Sequence, residues 1–525
     1  MCLDAVAVAL NQADEGKWYT STLELQLVSL QLCAACRSVR TLSVVVNKSA
    51  PSSIRACTYG DSALPERRVP ALRAYSVLWG RNASSLPLCF DSIEILKHVV
   101  CLELEETFSI VNIVWPAGMK RLVLRFTHVR FRQTPWIDEV TWPPCLQQLT
   151  LAGSFNQPVD QAIWPNALEQ LTFGDYFKQS VVDVAWPNSL KRLVFGREYK
   201  QSLAGVTWPI SLIEIELGDY ARHYRGVTWP PSLQKLTFGW YFDDAINSYQ
   251  FPPSLSELTL GASFNHPIVS IVWPSSLQRL TFGDRFDQSI DGVAWPPGLR
   301  ELTLGLVYNR SIAKVTWPPA LQRLILSVCF NWPVKGIVWP TSLEILEFGV
   351  HFNQPVAGVV WPKSLRQLGF GCDFNQTLVG VLWPSSLQRL TLGNGFRQPL
   401  DRVAFPDSLQ KLTLGNDFEF PLDGVAWPSS LRELRLGFSF DRPISGVVWP
   451  ASLETLKFGY SFNQPLEGVT WPSSLRELDF GRCFNQRVDG LAWPASLRLL
   501  KLGRCFRRPT DGVVGPTCRV VISKR

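Results

Sequence analysis

The chain reads as mainly β: a right-handed solenoid of copies about 22 residues long, stacked into one long parallel sheet with an extended, non-helical return side and a shallow arc. Three observations predict this. An aromatic-Pro pair opens eighteen copies between Trp115 and Leu502. From Trp142 it recurs at 164, 186, 208, 229, 251 and 273, then every 22 residues to 493, with Gly515 as a worn nineteenth. Each copy carries a short stretch in which apolar and polar residues alternate. Finally, the far side of each copy is built around Pro, which leaves little room for a helix. A period held this tightly marks a solenoid in which each copy buries its apolar side only against its neighbours.

The copy from Trp361 to Leu382 shows the grammar: W-P-K-S-L-R-Q-L-G-F-G-C-D-F-N-Q-T-L-V-G-V-L. Leu368 and Phe370 alternate with polar neighbours, the two-residue period of a strand with one buried face. Every copy follows the last by one turn in the same direction, so the strands stack in parallel. Leu365 completes L-x-x-L-x-[LF], the leucine-rich-repeat signature. Val381 and Trp383 alternate again, and Pro384 keeps the Trp extended. Sixteen copies carry Trp at this place and two carry Phe (Phe251 and Phe405), which predicts a buried aromatic ladder. At Phe374-Asn375-Gln376 the chain turns, with Phe inward and Asn and Pro as turn formers. The Asn place also holds Lys178, Lys200, Arg397, Glu419 and Arg507, so it is expected to be partly wet.

With F-N-Q-P at Phe352–Pro355 and Phe462–Pro465 and the Pro-x-Ser-Leu-x-x-Leu strand, the copies resemble the FNIP repeat, a leucine-rich-repeat relative. The resemblance covers residues 115 to about 510, with Trp where that family usually has Leu before the Pro. It implies a repeat architecture and an interaction role, and no common activity. The kinase or F-box that some relatives attach is not visible in these residues.

The ends are less regular. Pro51–Asp61 aligns with Pro274–Asp284, and Val39–Val44, Leu72–Val77 and Val99–Leu104 have strand-like spacing. Residues 38–114 are therefore expected to be degenerate repeats, 115–512 the regular array and 513–525 a truncated cap. Residues 1–37, with a short helix near Leu3–Leu10, would cap the other open edge.

Trp at 21 and Phe at 30, against two Met, point to a core of rigid aromatics. No run approaches the roughly 20 apolar residues a membrane helix needs. The start has an acid at Asp4 and no basic leader, which predicts a cytoplasmic protein and gives little weight to the sequons at Asn47, Asn82, Asn309 and Asn375. The net charge of +7 sits wholly in residues 476–525, with eleven basic side chains against four acids. Its arginines 482, 487, 498, 504, 507 and 508, with Lys501, could meet phosphate or an acidic partner, or simply be solvated.

Twelve cysteines are irregularly spaced, and the lone C-x-x-C at Cys33 and Cys36 lacks a second pair. Free thiols are expected. Cys483 and Cys505 share a place on adjacent copies about 5 Å apart, where bonding is sterically conceivable but not expected in a reducing compartment. The five histidines are scattered and H-E-x-x-H and G-x-x-x-x-G-K-[ST] are absent, so no catalytic, cofactor or metal residue is assigned. The nearest constellation is Asp244 with His266, which share a corner place on adjacent copies.

Comparison between copies separates places fixed by folding from places left free. On the strand, Thr recurs at 150, 172, 237, 259, 281, 303, 391 and 413, beside alternating Glu257, Arg279, Glu301 and Arg323. These columns read as structural. The place after the strand Gly is free. Trp240, an apolar strip (Leu306, Val328, Val350), an aromatic pair (Phe438, Tyr460) and an arginine pair (Arg482, Arg504) occupy it, with Arg435 and Lys457 breaking the Thr column nearby. Either these ten residues form a protein-binding surface or they drift on a tolerant rim. The expected function is a monomeric, non-enzymatic scaffold for a protein partner, without nucleic acid or membrane. The alternatives are a passive structural solenoid and an enzyme or phosphate binder using the basic end.

Overall fold

The computed structural model describes residues 42–46, 75–79, 101–106, 115, 118–126, 137–220, 224–510 and 518–523. The expected cap at 1–37, the copy at 51–61, Cys33, Cys36, Asn47, Asn82, His98, His128 and His223 lie outside them. The chain divides into two compact units, with the boundary between Leu212 and Ile213.

In the first unit, β1 (Leu42–Val46), β2 (Tyr75–Trp79), β3 (Cys101–Glu106), β4 (Arg121–Phe126), β5 (Gln148–Gly153), β6 (Gln170–Phe173) and β7 (Arg192–Val194) pair in chain order, all parallel. The first three of these strands overlap the stretches whose alternation predicts them, each displaced two or three residues toward the C-terminus. In the second unit, fifteen strands run from β8 (Glu214–Glu216) to β22 (Arg519–Ile522), most of them three residues long. Register is strict: Leu346, Leu368 and Leu390 are mutual partners, each the inward residue of its strand. Among the described residues, helix is limited to two single 3₁₀ turns, Ile137–Glu139 and Ile246–Ser248. No helix there is long and apolar enough to cross a membrane.

Three turns close each copy, or rung, into three sides. In the copy from Trp361, Leu365 N–H donates to the Pro362 carbonyl at 3.1 Å, Phe374 N–H to Gly371 at 3.2 Å and Val381 N–H to Leu378 at 3.3 Å. In this copy the third turn takes a left-handed residue, and Gly380 supplies it with φ 76°. Gly371 has a different task. A Cβ there would lie 1.6 Å from the Gly349 carbonyl oxygen on the rung before, so glycine lets these two rungs close up.

Leu365, Leu368, Phe370, Phe374, Leu378 and Val381 fill the interior of that rung and are all buried. The aromatic ladders also reveal curvature. Equivalent atoms on neighbouring strands repeat at about 4.8 Å. The inward rings at the strand ends repeat at 5.6 Å (Phe348 to Phe370), the corner rings at 6.2 Å (Phe352 to Phe374) and the indoles at 6.4 Å (Trp339 to Trp361). The rungs of the second unit therefore fan open away from the sheet, which lies on the inner side of the bend. The Trp ladder is buried to half-buried as the repeat predicts, with Trp339 and Trp361 buried and Trp383 half-buried.

Two polar ladders tie rung to rung. In most copies the Ser of Pro-x-Ser-Leu donates its hydroxyl to the Leu carbonyl of the preceding copy, as from Ser364 to Leu343 and from Ser386 to Leu365, both at 2.7 Å. At the corner, the Asn side chain accepts the backbone N–H of the next copy, as Asn265 does from Asp287 at 3.0 Å and Asn375 from Arg397 at 2.8 Å. Asp243, Asp287 and Asp441 accept in the same way. The Asn place is thus exposed to half-buried, and it also carries a directional bond.

Candidate functional site

The place after the strand Gly is the second residue of the second turn, and the backbone alone fixes its position. Asp373 N–H donates to the Val350 carbonyl at 2.8 Å, Gly395 N–H to Cys372 at 2.6 Å and Ser461 N–H to Phe438 at 2.9 Å, so successive turns are stitched together. The side chains leave this ladder outward, and folding places no demand on them.

The structure gathers the rim residues of the second unit into three groups. Leu306, Val328 and Val350 border a shallow groove of about 370 Å³ between rim and sheet face, whose floor includes Thr303, Ile325 and Glu347. Leu306 is 48% exposed, Val328 and Val350 half-buried. Trp240, 53% exposed, borders a second groove of about 290 Å³ with Thr237, Thr259 and Asp284. In the third group Phe438 stacks on Tyr460 with ring centroids 4.4 Å apart, and the Arg482 guanidinium lies 5.1 Å from the Tyr460 centroid. Arg504, exposed, holds the next place, and its carbonyl accepts from the Arg507 guanidinium at 2.7 Å.

Arg435 and Lys457 stand apart from the rim. Both lie on the sheet face, where Arg435 pairs with Glu433 at 2.6 Å and Lys457 with Glu477 at 3.3 Å. Lys411 and Lys501 complete two three-membered ion clusters, at 2.9 Å from Glu433 and 2.7 Å from Glu477. Burial alone would raise Glu433, but the bonds from Lys411 and Arg435 outweigh it and hold its carboxyl below the usual range. Glu477 is held low chiefly by Lys501, against burial and with help from Lys457. The Glu257–Arg279–Glu301 run is likewise a chain of ion pairs, at 2.7 and 3.3 Å.

Asp244 and His266 share a corner place on adjacent copies but have separate partners. Asp244 turns inward and is buried, accepting from the Tyr249 hydroxyl at 3.0 Å and the Arg225 guanidinium at 3.3 Å. His266 instead contacts Asp243, through its carboxylate at 3.2 Å and its carbonyl oxygen at 3.1 Å. The cause is local: Tyr249 stands where the neighbouring copies carry Val227 and Ile271, and the 3₁₀ turn Ile246–Ser248 brings it over the corner. Burial first, then the Asp244 carboxylate, push the Tyr249 hydroxyl well up. Among the described residues, no three or more His, Cys, Asp or Glu side chains gather as a metal site would require.

Two surface features escape a reading confined to the place after the Gly. Tyr220 and Tyr241, one residue farther on, stack at 4.7 Å and are exposed. On the return side, Val338, Val360 and Leu382, each preceding a Trp, form an exposed apolar strip. Alternation with the inward Val and Trp was the signal for the second.

Comparison with known proteins places this geometry. The FNIP Repeat pattern matches residues 186–220, 226–263, 264–307, 330–373, 374–417, 418–461 and 462–505. Among solved structures the chain is similar to CroV588, described as a novel circular LRR protein, at 30% identity over 87% of this chain and 72% of that one, with a TM-score of 0.64. It also aligns with the internalin inlF of Listeria monocytogenes at 15% identity, over 67% of this chain and 89% of that one. That TM-score, 0.37, is too low to carry an argument. Among curated proteins none matches. With the repeat pattern spread over more than half of its length and a relative aligned over most of both chains, this chain belongs to the FNIP-repeat family of leucine-rich-repeat-like solenoids.

Proposed function

We propose that the chain is a non-enzymatic, cytoplasmic scaffold for protein recognition, and that its contact surface in the second unit is the rim with the adjoining sheet face. The observation that carries this reading is the exposed stack of Phe438, Tyr460 and Arg482. Its side chains lie on turns that the backbone already holds, and aromatic residues with Arg are the usual centre of a binding hot spot. The groove beside Leu306, Val328 and Val350 supplies apolar area on the same rim. Trp240 and Arg504 extend the surface, while Arg435 and Lys457 set charge on the face beside it.

The test is affinity capture with the full chain and with a variant carrying Leu306→Ala, Val328→Ala, Phe438→Ala and Tyr460→Ala. The captured protein should be lost, with hot-spot truncations worth about 2 kcal/mol or more each, while the melting temperature stays unchanged. Capture that persists in the variant overturns the rim reading and favours a passive solenoid.

A further inference from the structure

Cys483 and Cys505 hold the same place on adjacent copies, each the third residue of the turn after its strand. The two turns nest closely. Cys505 N–H donates to the Arg482 carbonyl at 3.0 Å. A Cβ on Gly503 would fall 1.8 Å from the Gly481 carbonyl oxygen and 2.5 Å from the Arg482 Cα. In-register residues of a parallel ladder sit about 4.8 Å apart, within the Cα separation of about 4.4–6.8 Å that a disulfide spans. Cys505 is exposed and Cys483 half-buried, so a small reagent reaches the outer thiol first. The thiols also sense each other: burial and then the neighbouring Cys505 push the Cys483 thiol up. Arg482 and Arg504, one residue before each, supply positive charge that draws an anionic reagent. Neither Cys329 nor Cys372 has such a neighbour, since Val307 and His351 flank the first in its column and Val350 and Asn394 the second.

The geometry points to a thiol–disulfide exchange site, in which the Cys483–Cys505 dithiol is oxidised by a low-molecular-weight disulfide such as oxidised glutathione. The Cys505 thiolate attacks one sulfur of the small disulfide, breaking its S–S bond and releasing one small thiolate. The Cys483 thiolate then attacks the Cys505 sulfur of the mixed disulfide, forming the cross-rung S–S bond and releasing the second. Two electrons pass from protein to reagent, and the two thiol protons end on the two released thiols. The product closes a loop around the last full copy.

Full-length protein is treated with oxidised glutathione, quenched by alkylation and mapped by mass spectrometry. Trypsin separates the two thiols, cutting after Arg482, Arg487, Arg504 and Arg507. A joined pair of peptides, lighter by two hydrogens, is expected. In C483S, Cys505 should stop at the mixed disulfide, and in C505S, Cys483 should react many-fold more slowly than Cys505 does in the native chain. Serine is compatible with the fold here because Ser439 and Ser461 hold the same place on earlier copies. A native chain in which Cys505 stops at the mixed disulfide, in which both thiols stay free, or in which either joins a different cysteine overturns the assignment.

Discussion

Asn353 and Asn375 occupy the same corner on successive copies, and Oδ1 of the first accepts the backbone N–H of the second at 2.9 Å. The same oxygen also receives Nε2 of Gln376 at 2.9 Å. Asn353→Leu strands the Asn375 N–H, while Gln376 Nε2 keeps the residue-353 carbonyl at 3.1 Å, and should cost about 1–2 kcal/mol. Asn353→Asp should be close to neutral, because Asp441 already serves Asn463 and Gln464 in the same geometry, each at 2.9 Å. Chemical denaturation of the two variants checks this, and equal losses would mean that the ladder contributes nothing.

Two glycines of one copy should fail differently. Gly371→Ala drives a methyl into the Gly349 carbonyl oxygen, and a backbone obstacle cannot rotate away, so a loss of about 3 kcal/mol or more is expected. Gly380→Ala meets nothing within 4 Å and pays only for its φ of 76°, about 1–2 kcal/mol. Thermal melts of both variants rank them.

Tyr308 stands in the corner column where most copies have Phe, fully buried, its hydroxyl without a hydrogen-bond partner in the structure. Burial, reinforced by Asp291 and Asp287, pushes that hydroxyl well above its ordinary pKa. Tyr308→Phe removes an unsatisfied polar atom and keeps the ring, so it should stabilise by about 1 kcal/mol. A lowered melting temperature would show that the hydroxyl is satisfied after all.

Glu433 and Glu477 have carboxyls held below the usual carboxylate range by their lysine and arginine partners. A group whose pKa is depressed on folding adds stability that is complete above its unfolded value and is lost as pH falls through the folded one. The second unit should therefore weaken progressively on acidification below about pH 4.5. Glu433→Gln with Glu477→Gln should lower stability at pH 7 and reduce that acid dependence, as melting temperatures between pH 7 and 3 would show.

The fold was legible because one rung's needs recur at a fixed spacing. Leu368, Phe374 and Trp383 are each dictated by the same hole in every copy, and β1 to β3 betray themselves by alternation alone. The ladders through Asn353 and Ser364 were harder to see, since each bond joins residues 22 or 21 apart and no local pattern announces it. Asp standing in for Asn at 243, 287 and 441 was the available clue, because the two share an acceptor oxygen. At the rim, column reading found Phe438, Tyr460 and Arg482 but could not foresee that they stack. It places Arg435 and Lys457 in the Thr column beside the rim, but a column does not show how far a long cation reaches across to Glu433 or Glu477. The contacts of Asp244 are hidden for a similar reason: Tyr249, which captures it, stands in a column that otherwise holds Val, Ile, Leu or Ala, so no other copy shows the bond.

The unequal spacing of the ladders, 5.6 Å at Phe348 to Phe370 against 6.4 Å at Trp339 to Trp361, makes each copy of the second unit a wedge rather than a slab. Duplicating 22 residues there would preserve every local contact and yet swing all that follows about an axis on the strand side. Copies can be interchangeable in packing while their number stays constrained, because gaining or losing one re-aims the rim residues on either side of it relative to each other.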